Sequence, residues 1–132
     1  MVVAQNDEAG ASFGGRRLIV AFVTDLMVGV RIEEAAKTAG AEVETVGSLE
    51  EGAERVRSRV VEVVVVDLAI AGLDLEAIVS LGREAGARVI GFYPHVDAAL
   101  RQAAKRAGIE RAYPRSRFLR DLPRILRESL EG

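Results

Sequence analysis

Six valines occupy the seven positions from Val60 to Val66, broken only by Glu62, and the run stops at Asp67. β-Branched side chains fit a pleated backbone and resist helix. An exposed-face strand would alternate apolar with polar, and this one does not. The run therefore predicts a strand buried on both faces, the position of a central strand in a parallel sheet with helices on each side. A carboxylate at the end of such a strand is costly unless something pairs it or uses it. Any fold chosen for this chain has to cover both faces of that strand and find a place for Asp67.

The rest of the sequence supplies the cover. Leu18-Ile19-Val20-Ala21-Phe22-Val23 is a second run without alternation, a strand followed by Thr24-Asp25 and by a helix over about 27–39. That helix carries Val28, Ile32, Ala35, Ala36 and Ala39 inward and stops at Gly40. Glu42 to Val46 alternates as a half-covered or edge strand does, and Ser48 with Glu51 forms a capping box for a helix reaching about Ser58. Beyond Asp67, Asp74 caps a helix closed by Gly86, and Arg88 to Phe92 follows as a strand. Asp97 to Ala107 gives a fourth helix and Ile109 to Pro114 a short fifth strand. A last helix carries Phe118, Leu122, Ile125, Leu126 and Leu130 on one face. Pro123 must sit in or near that helix's first turn, because deeper inside it would remove a ladder hydrogen bond.

Five strands alternating with five helices predict one doubly wound α/β domain with a five-stranded parallel sheet, over residues 16–132. Residues 1–15 have no periodicity and read as a disordered leader. With no cysteine, there is neither a disulfide framework nor a thiolate site, and the single histidine, His95, leaves little material for a triad or zinc centre. No apolar stretch approaches the roughly 20 residues needed to span a bilayer, and the amino terminus lacks the pattern of a secretory signal. The expectation is a cytoplasmic protein that is not an enzyme. Charge is unevenly spread: residues 1–100 hold 9 Lys/Arg against 16 Asp/Glu, and residues 101–132 hold 9 against 4. The acidic total and the lack of an aromatic platform disfavour nucleic acid as a partner.

In doubly wound sheets, ligands bind beyond the carboxyl ends of the strands. The candidate crevice residues are thus Thr24, Asp25, Asp67, Tyr93, His95, Arg115 and Ser116. No Gly-x-Gly-x-x-Gly turn follows the first strand, so no dinucleotide cofactor is expected. Asp25 stands where an N-cap would, and His95 where a loop residue could answer to pH.

The order of elements from Arg17 to Leu130, with Val66-Asp67 through Glu76 and Ala107-Gly108 through Phe118, resembles the receiver domain of bacterial response regulators. The resemblance implies a CheY-like, flavodoxin-like sheet of order 2-1-3-4-5. It also implies that Asp67 matches the phosphoacceptor and that Arg115, seven residues after Gly108, matches the lysine that contacts the phosphoryl group. Arginine keeps that charge but changes the geometry. Tyr93 falls where receivers place a small hydroxyl residue, Ala112 where many place a switch aromatic, and Ser116 replaces a proline. Tyr113, one residue off, should face the other way. Receivers end the first strand with two adjacent acids that hold magnesium, and here Val23-Thr24 occupy those places with Asp25 just beyond. Asp25 and Asp67 could form a metal pair only if that loop shifts by one residue. The chain is also similar to small stand-alone receiver-like proteins, through Asp25-Leu26-Met27, Phe92 to Asp97, and Arg115-Ser116-Arg117-Phe118.

This pattern points to a stand-alone pseudo-receiver in bacterial signalling, a regulatory protein-protein interaction module working without standard aspartate phosphorylation. Arg101 and Lys105 on the fourth helix, with Arg120, Arg124 and Arg127 on the last, would form its interaction face. That is the α4-β5-α5 surface of receivers, offered to a protein partner or to a second copy. Two alternatives share the crevice: a phosphoacceptor served by a histidine kinase, with magnesium as its only cofactor, and a small-ligand or anion sensor. For Asp67 itself the structural alternatives are a pairing with Arg115 or a cap on the following turn.

Overall fold

The computed structural model describes residues 17–94 and 97–131. The expected leader and His95 lie outside these residues. Five strands, β1 (Arg17–Phe22), β2 (Ala41–Val46), β3 (Val61–Asp67), β4 (Arg88–Tyr93) and β5 (Arg111–Pro114), form one sheet in which every pairing is parallel. Its order is β2-β1-β3-β4-β5, as expected. The helices are α1 (Leu26–Thr38), α2 (Leu49–Ser58), α3 (Leu75–Ala85), α4 (Ala98–Ala107), α5 (Arg115–Arg120) and α6 (Leu122–Glu131). None of the helices is long and apolar enough to cross a membrane.

Strand parity divides the core. Ile19, Ala21, Val63, Val65, Ile90 and Phe92 pack with α1, α5 and α6, whereas Leu18, Val20, Phe22, Val64, Val66 and Tyr93 pack with α2, α3 and α4. Val61 joins the second set although its parity assigns it to the first. The β1–β3 register explains this: Leu18 opposes Val61 but Ile19 opposes Val63, a bulge that inserts Glu62 as one extra residue. Glu62 then turns outward to meet Arg17 at 3.6 Å.

The helix ends follow their sequence signals. Asp25, Ser48, Asp74 and Asp97 each accept first-turn amides as N-caps. Glu51 closes the α2 box one residue further back than the usual pattern, accepting from Gly47 N at 2.8 Å. Gly108 is left-handed, with φ of 99°, and Ile109 N bonds to Ala104 O at 2.9 Å. That bond belongs to the α4 C-cap, so β5 begins at Arg111 rather than at Ile109.

The expected single last helix is two. Asp121 N still reaches Arg117 O and Ile125 N reaches Asp121 O, but Pro123, second residue of α6, has no N–H for the Leu119 carbonyl. Arg31 of α1 supplies the missing donor, its Nη2 lying 3.0 Å from Leu119 O. The proline thus starts a helix, as its position demanded, and α1 holds the break from outside.

Gly52 of α2 lies so close to β1 that a Cβ there would enter the Phe22 ring. Alanine normally favours a helix over glycine by about 1 kcal/mol. Here overpacking reverses the sign: Gly52→Ala should destabilise the fold by about 1–3 kcal/mol, read as a lower midpoint in chemical denaturation.

Candidate functional site

The sheet register gathers the site. Asp67 pairs with Phe92 and Tyr93 with Pro114, so the carboxyl ends of β3, β4 and β5 lie level, and β1 ends beside them at Phe22 opposite Val66. Thr24 and Asp25 leave β1, and Arg115 opens α5 directly after β5. Asp67 follows the parity of Val63 and Val65, toward α1. Tyr93 has the opposite parity and is buried on the α2-α3-α4 side with Val64, Val66 and Ala104, so its ring serves the core instead of lining an open crevice. Ala112 packs on that same side and Tyr113 on the other, against Phe118, the opposition expected of neighbours on a strand. Phe118 in turn stacks on Phe92 at 4.7 Å between ring centroids.

Both carboxylate oxygens of Asp25 have partners. Its Oδ1 accepts from Met27 N at 3.0 Å and from Val28 N at 3.2 Å, capping α1. Its Oδ2 receives Arg115 Nη2 at 2.9 Å. Of the two structural roles open to Asp67, the pairing with Arg115 is not the one found: the arginine's side-chain contact is with Asp25. Asp67 takes the other structural role, its Oδ1 accepting from Ala69 N at 3.0 Å while its carbonyl accepts from Ile70 N. The Asp67 side chain and its own carbonyl together close the turn after β3.

The two acids are displaced in opposite directions. The Val28 amide, then Arg115, holds Asp25 below the ordinary carboxylate value. Partial burial, only partly offset by the Ala69 amide and Arg115, pushes Asp67 above it, and the Asp25 charge adds to the rise. Val23, at one of the places where receivers carry an acid, is a buried core residue, and Thr24 at the other is an exposed hydroxyl. Among the described residues no three His, Cys, Asp or Glu side chains come together as a metal site. Magnesium wants a six-oxygen shell, and the carboxylates at this edge are Asp25, which caps α1 and pairs with Arg115, and Asp67, which closes a turn. Ser116 is exposed on α5 beside this arrangement.

The basic face is less uniform than its sequence suggested. Arg120 and Arg124 both turn toward Asp121, at 3.5 and 3.2 Å, and Arg124 also approaches Glu128 at 3.7 Å. With the last helix broken, the residues expected on one α4-β5-α5 surface divide among α4 (Arg101, Lys105), the end of α5 (Arg120) and α6 (Arg124, Arg127). A feature the sequence reading passed over is apolar: Leu26 and Met27 are 80% and 69% exposed at the start of α1, and Val30 is 40% exposed. The signal was present, since all three lie off the inward stripe of Val28, Ile32, Ala35 and Ala36.

Comparison with known proteins places this geometry in context. No protein-family model matches the chain, and no curated protein matches it in sequence. Solved structures do match. A response regulator from Thermotoga maritima superposes with a TM-score of 0.75 at 16% identity, over 89% of this chain and 99% of that one. The receiver domain of a sensor histidine kinase from Pseudomonas aeruginosa PAO1, described with magnesium coordinated in its active-site cleft, gives 0.69 at 18%, over 89% and 100%. An atypical orphan response regulator, described as revealing a phosphorylation-independent regulatory mechanism, gives 0.69 at 17%, over 87% and 95%. At these identities the likeness is one of fold: the chain has the CheY-like receiver architecture.

The opposite displacements of Asp25 and Asp67 predict opposite pH behaviour. The raised acid ionises first in the unfolded chain, so stability falls as pH rises from about 3.8 through its folded value. Asp67→Asn should therefore raise the melting temperature at pH 7, with the gain disappearing toward pH 3. The lowered acid contributes stability above 3.8 that is lost as pH falls through its folded value. Asp25→Asn, which can still cap α1, should lower the melting temperature at pH 7 and converge with the parent in acid. Thermal melts of the three proteins across pH 3–7 check both signs.

Proposed function

We propose that this chain is a regulatory docking module, a receiver fold that works through protein-protein contact and without aspartyl phosphorylation or a bound metal. The observation that carries the reading is the threefold engagement of Asp25, by Met27 N, Val28 N and Arg115. Phosphoryl transfer to a carboxylate requires a cation to offset the charge that develops on the transferring group. The acid nearest to serving one here is committed to a helix cap and an ion pair. Asp67 is left with a turn amide on Oδ1 and no second acid free to hold a cation beside it.

The docking surface in this reading is the basic side of the chain's last quarter, formed by α4, β5, the end of α5 and α6. Arg101 and Lys105 of α4 and Arg127 of α6 are exposed and make no ion pair among the described residues, while Arg120 and Arg124 are partly neutralised. An acidic protein surface suits that charge, and such charges steer association more than they tighten it. The orphan regulator described as phosphorylation-independent offers a precedent of fold for this mode of action.

Beryllofluoride with millimolar magnesium tests the reading directly. The expected outcome is no change in the amide resonances of Ala69 and Arg115, and no magnesium-dependent labelling by acetyl phosphate. A shift or label that Asp67→Asn abolishes would instead establish a working phosphoacceptor, open to a histidine kinase.

A further inference from the structure

A cavity of about 610 Å³ opens at the amino edge of the sheet, opposite the candidate site, where β3, β4 and β5 begin and α3, α4 and α6 end. That volume lies in the range of small-molecule sites. Its construction starts on α3. Val79 and Arg83 are four residues apart and share a face of that helix. Both reach the cap of α4: a Cβ at Gly108 would lie 3.5 Å from Val79 Cγ1 and 3.7 Å from Arg83 Nη2. Gly108, held left-handed, offers no side chain to cover that guanidinium. Val89, close against Gly82 of α3, and Leu130 of α6 add apolar lining.

The charged lining is balanced. Arg83, Arg88 and Arg111 stand with Glu62 and Glu110, and the carboxyl poles of α3 and α4 add partial negative charge. Two of these side chains are paired from outside, Glu62 with Arg17 at 3.6 Å and Arg111 with Glu128 at 3.9 Å. The side chains of Arg83 and Glu110 make no hydrogen bond or ion pair among the described residues, with each other included. One cation and one acid are thus left beside the same helix cap, over an apolar floor. A net anion entering here meets the two glutamates, and a net cation meets the three guanidinium groups. A molecule with one charge of each sign is matched to both.

We infer that this cavity takes a small zwitterion, an aliphatic α-amino acid or dipeptide. Its carboxylate receives two parallel N–H bonds from Arg83. Its ammonium lies between Glu110 and the carboxyl pole of α4. Its side chain rests on Val79, Val89 and Leu130. The site is separate from the carboxyl-edge crevice and independent of the docking reading. Arg83 and Glu110 are both exposed, so water competes for them and the complex is weak, with a dissociation constant on the order of 1 mM.

Amide spectra of the full chain, titrated to about 20 mM with leucine and separately with leucyl-leucine, are the primary test. The expected result is a saturable shift at Gly86, Gly108 and Glu110, with Asp67 and Ala69 unmoved. Whichever of the two binds more tightly identifies the source as free amino acid or dipeptide. N-acetyl-leucine, which lacks the cation, and leucinamide, which lacks the carboxylate, should each bind at least about tenfold more weakly. Arg83→Gln and Glu110→Gln change exposed side chains, so circular dichroism should show the fold intact while each raises the dissociation constant at least about tenfold. Absence of a saturable shift with both ligands overturns the inference. So does binding that is equally tight for the two single-charge analogues or indifferent to both substitutions, which would leave Arg83 and Glu110 as solvated surface charges.

Discussion

The structure depends on the pairing of β1 with β3, two strands whose inner residues are buried on both faces. Leu18 to Phe22 and Val63 to Val66 are each at most 1% exposed. Burial of that kind leaves no strand face for water, so each side must carry a helical layer, and the chain obliges by sending α1, α5 and α6 to one side and α2, α3 and α4 to the other. Parallel strands joined through helices bring all their carboxyl ends to one edge. The crevice is thus a consequence of the core, and the residues found there are those that happen to follow each strand's last buried position.

Parity then sorts those residues by role. Asp67 inherits the direction of Val65 and points toward α1, while Tyr93 inherits the opposite direction and disappears into the other layer. The same rule separates Ala112 from Tyr113. Arg115 finds its carboxylate on α1's cap instead of on β3. One interaction therefore ties the start of α1 to the start of α5, and a second, from Arg31 to Leu119 O, ties α1 to the break before Pro123. With these two contacts α1 becomes the brace of that side of the molecule. Its outward residues remain free for contact with other molecules.

Much of this was written in the sequence. The valine run determined a central strand, because β-branched residues without alternation have no comparable fit elsewhere; only Val60, expected in the strand, falls outside it and stays exposed. Asp25, Ser48, Asp74 and Asp97 marked helix starts, and Gly86 and Gly108 marked helix ends, because these are local effects decided within one turn. Pro123 likewise announced a helix beginning, for want of an N–H. From these local signals the alternation of elements and the sheet of parallel strands followed, and the set of residues at the carboxyl edge followed from the sheet.

Tertiary structure decided everything that depends on distance across the chain. Which acid Arg115 would meet was open in the sequence, since Asp25 and Asp67 are 90 and 48 positions away and both sit near strand ends; in the packed fold it is Asp25. The bulge at Glu62 and the Arg31 donor to Leu119 were equally hidden. A sequence states which residues prefer strand, cap or turn, because those preferences act over a few bonds. Whether a charged group ends with one partner or another is set by a few ångströms between elements remote in the chain, and only the packed fold fixes those distances.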